Sequence, residues 1–173
     1  MARLETLIDT DTLRARVAEI AAEIDRDYAG RKPILVGILK GSVHFLSDLA
    51  RQIQLETTLD FMRVSSYGNA QVTSGIIRIG KDLDASIEDQ DVILVEDIVD
   101  TGLTLHHLHD LLRTRKPKSL ATVALLSKKA SRKVEVPVEY IGFEIPDEFV
   151  VGYGLDYAER YRNLPAIVVL HES

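Results

Sequence analysis

The segment 91–105 constrains this chain more than any other. Asp91-Val-Ile-Leu-Val95 is an almost unbroken apolar run that leads directly into Glu96-Asp97-Ile-Val-Asp100-Thr-Gly102. Apolar residues at successive positions of a strand need cover on both faces, as in parallel sheets flanked by helices. The sequence supplies that cover at once. Leu105, Leu108, Leu111 and Leu112 share one side of a following helix.

The flanking sequence repeats this alternation. Residues 11–30 carry Leu13, Val17, Ile20, Ala21 and Ile24 at helical spacing, with Asp11 as the expected N-cap and Gly30 as the stop. Residues 33–39 form a second apolar run, read as a strand buried on both faces, and Lys40-Gly41-Ser42 breaks it. A helix with Phe45, Leu46, Leu49 and Ile53 inward is expected next. A strand over 58–65, a polar loop over 66–74 and a strand over 76–79 follow. Strands at 121–126, 138–142 and 166–170 complete the order. The pattern predicts an α/β fold, with a central, mostly parallel sheet flanked by helices through right-handed crossovers. The strand-rich last third predicts a small hood over the site. At 173 residues, one domain is expected.

Composition narrows the function. The 27 acids against 21 Lys and Arg give a net charge of −6, which argues against nonspecific nucleic-acid binding. An anionic small substrate stays open, because local amides or magnesium offset the field. Without cysteine there are no disulfides and no cysteine-ligated zinc. No apolar run approaches the ~18 residues of a membrane span, and Met-Ala-Arg-Leu-Glu lacks a signal-peptide core. The expectation is a soluble, cytoplasmic protein with no membrane or nucleic-acid partner.

The chemistry concentrates where the strongest strand ends. In open α/β sheets, ligands bind beyond the carboxyl ends of the strands. Three acids stand there within five residues, Glu96, Asp97 and Asp100. If the chain turns at the strand end, both Glu96 and Asp97 can reach a vicinal diol or a cation. Thr101-Gly102-Leu103-Thr104 then opens a helix, whose free amides and two hydroxyls make a phosphate cradle. Diol acceptors beside such a cradle suit a ribose 5-phosphate. A plainer alternative is a helix start capped by Asp100, with Glu96 and Asp97 solvated. Neither a Walker loop nor the Gly-x-Gly-x-x-Gly dinucleotide fingerprint is present.

The stretch from Val92 to Leu105 resembles the phosphoribosyl-diphosphate motif of type I phosphoribosyltransferases, and Asp100 before Thr-Gly resembles the hypoxanthine (6-oxopurine) branch. Leu39-Lys-Gly-Ser42 is similar to that family's pyrophosphate loop, Ser65-Ser-Tyr-Gly68 to its mobile lid, and Lys128 with the run from Gly142 to Tyr157 to its purine-binding hood. The resemblance implies the type I phosphoribosyltransferase fold, its hood built from the N-terminal segment and about residues 138–173. It implies transfer of a 5-phosphoribosyl group from 5-phosphoribosyl 1-diphosphate to N9 of hypoxanthine or guanine, releasing pyrophosphate.

Residue roles follow from the same resemblance. Glu96 and Asp97 would hold the ribose hydroxyls, directly or through Mg2+. Asp100 would be the general base at purine N7. Thr101, Gly102, Leu103 and Thr104 would bind the 5′-phosphate, Leu103 by its backbone amide. Lys40 and Gly41 would contact pyrophosphate, next to a non-proline cis peptide at Leu39–Lys40. Ser66 and Tyr67 would sit on the lid. Lys128 would donate to the purine O6, Phe149 stack on the ring and Val150 offer its backbone. Asp156 would face a second Mg2+, and Arg162 grip pyrophosphate, a task suited to its bidentate fork. A homo-oligomer, dimer or tetramer, is also implied. A xanthine-preferring or other-base phosphoribosyltransferase, and a non-catalytic nucleotide sensor on the same fold, are the competing readings.

Three features have plainer readings. His106, His107 and His109 read as a solvated helix face, since two ligands at i,i+3 fall short of a structural zinc site. The basic run 113–118 reads as a helix end and loop. Lys81-Asp-Leu-Asp84 reads as a turn without an evident role.

Overall fold

In the computed structural model, which describes residues 3–66 (of Ser66, the backbone only) and 77–171, the 91–99 segment becomes a central strand. β5 (Asp91–Val99) lies between and parallel to β2 (Ile34–Ile38) and β6 (Ser119–Ser127). Beyond β2 lie β3 (Thr58–Ser66), parallel, and β4 (Ile77–Lys81), antiparallel at the edge. β7 (Tyr140–Glu144) adds to β6 in parallel, giving the order β4-β3-β2-β5-β6-β7. Residues 140–144, read with the hood, thus belong to the central sheet.

Both faces are covered as the apolar runs require. Leu35, Ile93, Val95, Val123 and Leu125 pack with Leu13, Val17, Ile20 and Ile24 of α1 (Thr10–Asp27) and Phe45, Leu46 and Leu49 of α2 (Val43–Gln52). The alternate residues Val36, Val92, Leu94 and Ala124 pack with Leu105, Leu108 and Leu112 of α3 (Leu103–Arg113). Period-two alternation along each strand feeds one core on each side. Each fully buried aliphatic or Phe side chain contributes roughly 1.5–3 kcal/mol.

A second, antiparallel sheet joins the two ends of the chain in the order β1-β9-β8, from β1 (Arg3–Ile8), β9 (Ile167–His171) and β8 (Val150–Val151). Its Ile8, Val150, Ile167 and Val169 continue the core of α1 and α2. Neither β1 nor β8 was legible: β1 exposes its first four residues, and β8 has two residues.

Three local readings change. The N-cap of α1 is Asp9, whose carboxylate accepts from Thr12 N–H at 2.8 Å, while Asp11 stands inside the first turn. His109 is 1% exposed, and its Nε2 lies 2.7 Å from Thr122 Oγ1 on β6. It completes the 105, 108, 109, 112 stripe, and desolvation pushes its pKa down to about 4. Lys81-Asp-Leu-Asp84 is a structural knot. Lys81 Nζ bonds Phe61 O and Asp82 O, at 3.2 and 2.9 Å, and Asp84 Oδ1 at 3.1 Å. Arg115 forks onto both oxygens of Asp82, at 2.7 and 2.8 Å. The knot ties the return from β4 to the loop after α3, which gives one member of the basic run 113–118 a definite partner.

Candidate active site

β5 does not end at Val95. It stays extended to Val99, and the chain turns only at 100–102. Glu96 and Asp97 therefore face opposite sides of the strand; the immediate turn expected after Val95 is absent, and the two acids can meet a ligand only from different sides. Glu96, 7% exposed, lines a cavity of about 210 Å³ together with Ile38, Asp100, Thr101, Gly102 and Thr104. Asp97 faces the loop after β2. A Cβ on Gly41 would stand 1.8 Å from Asp97 Oδ2, so any larger residue there would push the Asp97 carboxylate aside. Desolvation pushes the Glu96 carboxyl well above its ordinary value, and the charge of Asp97 adds to the rise. Desolvation raises Asp97 as well, opposed by the Ile98 N–H, which donates to Oδ1 at 2.8 Å, and by Arg162. Neither acid has an ion-pair partner among the described residues.

The turn itself forms a cradle. Gly102 is the N-cap of α3 with φ +84°, and no side chain caps the helix from that position. A Cβ there would meet Arg132 Cδ at 2.9 Å and Val134 O at 3.0 Å, a second reason for glycine besides the φ. The first N–H groups of α3 have no carbonyl a turn behind them, and the helix dipole is positive at this end. The Thr101 hydroxyl takes the Leu103 N–H at 3.3 Å. The turn is fastened from behind by the segment after β6. Lys133 N–H donates to Thr101 O at 2.9 Å, Arg132 Nε to Asp100 O at 3.2 Å, and Arg132 Nη2 to Ser127 Oγ at 2.9 Å. Sequence reasoning missed Arg132, one of several basic residues in 128–133 with nothing local to single it out.

Asp100 is exposed at the rim of the cavity. Because Gly102 holds the cap position, Asp100 is not the α3 cap, and the plainer alternative for it fails. Lys128 is its counterpart on the next strand. Val99 pairs with Ser127, so Asp100 and Lys128 both follow the last paired residues, and Lys128 N–H donates to Val99 O at 3.0 Å. The Lys128 side chain is buried with Nζ 3.7 Å from Asp147, whereas Lys129 reaches outward to Glu144 at 2.8 Å. Phe149 is half exposed, its ring edge-on to Tyr157 with centroids 5.7 Å apart. Val150 is buried in β8, opposite Val169.

On the Asp97 side the loops close together. The Leu39–Lys40 peptide is cis. A Cβ on Gly154 would stand 2.1 Å from Gly41 O, so Gly41 is held between Gly154 and Asp97. Arg162 Nη1 donates to Gly154 O at 2.7 Å, and Nη2 reaches Asp156 Oδ1 at 3.2 Å and Glu159 Oε1 at 3.1 Å. Lys40 Nζ reaches the other oxygen of Glu159 at 2.9 Å. Lys40, Gly41, Asp97, Asp156 and Arg162 are therefore drawn together at one end, and Glu96, Asp100, Thr101, Gly102 and Thr104 at the other. Tyr67 lies outside the described residues, and so does the Ser66 side chain.

Among the described residues no three His, Cys, Asp or Glu side chains gather in the manner of a resident metal site. Magnesium needs fewer, since it keeps waters and is usually completed by substrate phosphate oxygens. Two carboxylates raised by desolvation, Glu96 buried and Asp97 half-buried, without a paired cation, fit that kind of ion.

The cradle, the two carboxylates of β5 and the paired cations all lie at the carboxyl ends of the central strands, where α/β sheets bind ligands. Residues 5–158 match the phosphoribosyl transferase domain family, to which this chain belongs. Within that family it groups with the hypoxanthine enzymes. It is 49% identical over 166 residues to the hypoxanthine-guanine phosphoribosyltransferase of Bacillus subtilis, covering 96% of this chain and 92% of that one. A crystal structure of a hypoxanthine phosphoribosyltransferase from Staphylococcus aureus superposes with a TM-score of 0.94 at 47% identity, over 96% of this chain and 91% of the other. A Listeria monocytogenes relative named bifunctional protein TilS/HprT is 51% identical over 166 residues. That match covers 96% of this chain and only 26% of the larger protein.

Proposed function

We propose that the protein transfers the 5-phosphoribosyl group of 5-phosphoribosyl 1-diphosphate to N9 of hypoxanthine, and of guanine, in purine salvage. The observation that carries this reading is the pairing of strand ends. Asp100 and Lys128 emerge side by side from β5 and β6, next to an uncapped helix N-terminus that suits a phosphate.

In this reading the amides and hydroxyls of 101–104 hold the 5′-phosphate, and Glu96 and Asp97 the ribose hydroxyls. Lys40, the Gly41 backbone and Arg162 hold the diphosphate. Lys128 donates to the purine O6, which favours an oxo group over the amino group of adenine. Phe149 stacks on the ring and the Val150 backbone meets its edge. The bond from the anomeric carbon to the diphosphate oxygen breaks with its electron pair leaving on pyrophosphate. N9 bonds to that carbon, and Asp100 takes the N7 proton. Fixing donor and base in one geometry supplies the entropic part of the acceleration. Glu96 and Asp97 on the ribose side, and Asp156 on the diphosphate side, would hold Mg2+, which when bound offsets the negative charge of the leaving group. Ser66 and Tyr67 belong to the lid of this reading.

Self-association into a dimer or tetramer and a cytoplasmic location are part of the same proposal. No helix among the described residues is long and apolar enough to cross a membrane.

Steady-state rates with hypoxanthine, guanine, xanthine and adenine test the reading. Nucleoside monophosphate should form from hypoxanthine, with adenine slower by about 100-fold or more, the range opened when a site's polar groups are left unpaired. Preferred turnover of adenine, or tight RNA binding without turnover, would overturn it.

A further inference from the structure

Glu159 was not singled out by sequence, yet it holds two of the cations assigned above to the diphosphate. Its Oε2 lies 2.9 Å from Lys40 Nζ and its Oε1 3.1 Å from Arg162 Nη2. One carboxylate thus bridges two basic groups that approach from different loops, as a bound diphosphate would. The backbone is bent to make this possible. Ala158, Glu159 and Tyr161 stand at φ +50°, +63° and +78°, a left-handed region that side chains with a Cβ rarely adopt. The bend is fixed at its base, where Glu159 N–H donates to Asp156 Oδ2 at 2.8 Å and Arg162 to Gly154 O at 2.7 Å. Strained residues of this kind persist only when their surroundings enforce them, and they cluster at ligand clamps. Glu159 itself is 64% exposed, so burial does not account for its position. The neighbouring contact between Gly154 and Gly41 places the loop directly against the Lys40 turn.

We propose that the Glu159 carboxylate is an internal stand-in for the diphosphate: it holds Lys40 and Arg162 when no diphosphate is bound, and the incoming diphosphate must displace it. This rests on the assignment of Lys40 and Arg162 given under the proposed function. Its consequence is an affinity set below what the two cations alone would give, because each charge-assisted bond to Glu159 is lost when the ligand arrives. Pyrophosphate is the second product, so the same competition speeds its departure. Glu159 is therefore a residue that tunes affinity at one end of the site without touching the reacting atoms.

Calorimetric titration of pyrophosphate with magnesium into wild-type protein and Glu159→Gln tests this, alongside steady-state constants for both substrates. Glutamine keeps the size and loses the charge. The variant should bind pyrophosphate at least threefold more tightly, with a matching fall in KM for the diphosphate donor and an unchanged KM for the purine. That unchanged constant also reports an intact fold. Repeating the comparison in a Lys40→Met background separates a bridge from a diffuse charge effect, since the gain should shrink by at least half once Lys40 is absent. Equal or weaker pyrophosphate binding by Glu159→Gln, or the same gain in both backgrounds, would overturn the stand-in role while leaving the proposed function untouched. Wild-type protein that neither binds pyrophosphate nor makes nucleotide would instead remove the reading on which the stand-in rests.

Discussion

At the end of β5, Glu96 is buried and Asp97 half-buried, neither has an ion-pair partner among the described residues, and desolvation drives both carboxyls toward the neutral form. At the return from β4, Asp82 and Asp84 are crowded in space with Asp60 of β3 but are answered from within. Asp60 accepts from the N–H groups of Phe61 and Asp84 at 2.7 and 3.0 Å. Asp84 takes Lys81 at 3.1 Å, and the fork of Arg115 holds Asp82 below its usual carboxylate range. Keeping such acids ionised without partners is costly, so they either take up a proton or are completed by something outside the chain. The balanced cluster is therefore architecture. The unbalanced one is where the proposed function seats a polar, cationic or hydroxyl-bearing ligand.

The comparison is broken most sharply at Asp100, which belongs to the unbalanced end. Asp100→Asn keeps the shape and removes the base, so turnover should fall about 100-fold or more. Chemistry-limited turnover within twofold of wild type would remove Asp100 from the mechanism. Lys128→Ala should come next. It should raise KM for hypoxanthine roughly tenfold or more and erode the preference for 6-oxo bases, with the donor KM little changed. Equal loss on both substrates would mark a packing defect.

A paired experiment sets the two clusters against each other directly. Glu96→Gln should not lower the thermal midpoint without ligand, since it removes a carboxyl whose charged form burial disfavours, yet it should reduce kcat/KM for the diphosphate donor about tenfold. Asp82→Asn should do the reverse, costing on the order of 1 kcal/mol of stability, as a half-exposed forked pair does, with activity within twofold. Glu96→Gln behaving like Asp82→Asn would show that Glu96 is only architecture.

The smallest effect concerns His109. Burial holds it near pKa 4 against about 6.5 in the unfolded chain, with Arg113 and His106 also pushing down and Asp110 pushing up. Between those values the unfolded chain binds a proton that the folded chain does not. Stability therefore falls as pH drops from 6.5 toward 4. His109→Gln should show a shallower slope in that window, measured by denaturant midpoints. An unchanged slope would place the acid sensitivity elsewhere.

Much of the fold was legible because its signals are local. The apolar runs at 33–39 and 91–95 carry their own demand for two covered faces, and the leucine stripe of α3 follows a helical period. The legible part of the site was the part built on one stretch of chain, Glu96 to Thr104. The rest depends on contacts across the sequence. Gly41 lies against the Asp97 carboxylate, and Gly154 is required because a Cβ there would meet the Gly41 carbonyl. Arg132 matters because its strand neighbour delivers it behind Asp100 and Thr101. Glu159 matters because a strained loop carries it to Lys40. β1 was missed because its first four residues are exposed and carry no alternation, and β8 because two residues are too few to show a period.

The decisive experiment is a crystal of the protein with a bound 6-oxopurine nucleoside monophosphate. Its 5′-phosphate should accept hydrogen bonds from the backbone N–H groups and hydroxyls of Thr101 to Thr104, with the ribose hydroxyls turned toward Glu96 and Asp97. A phosphate seated elsewhere, with the α3 N-terminus left to water, would contradict the account.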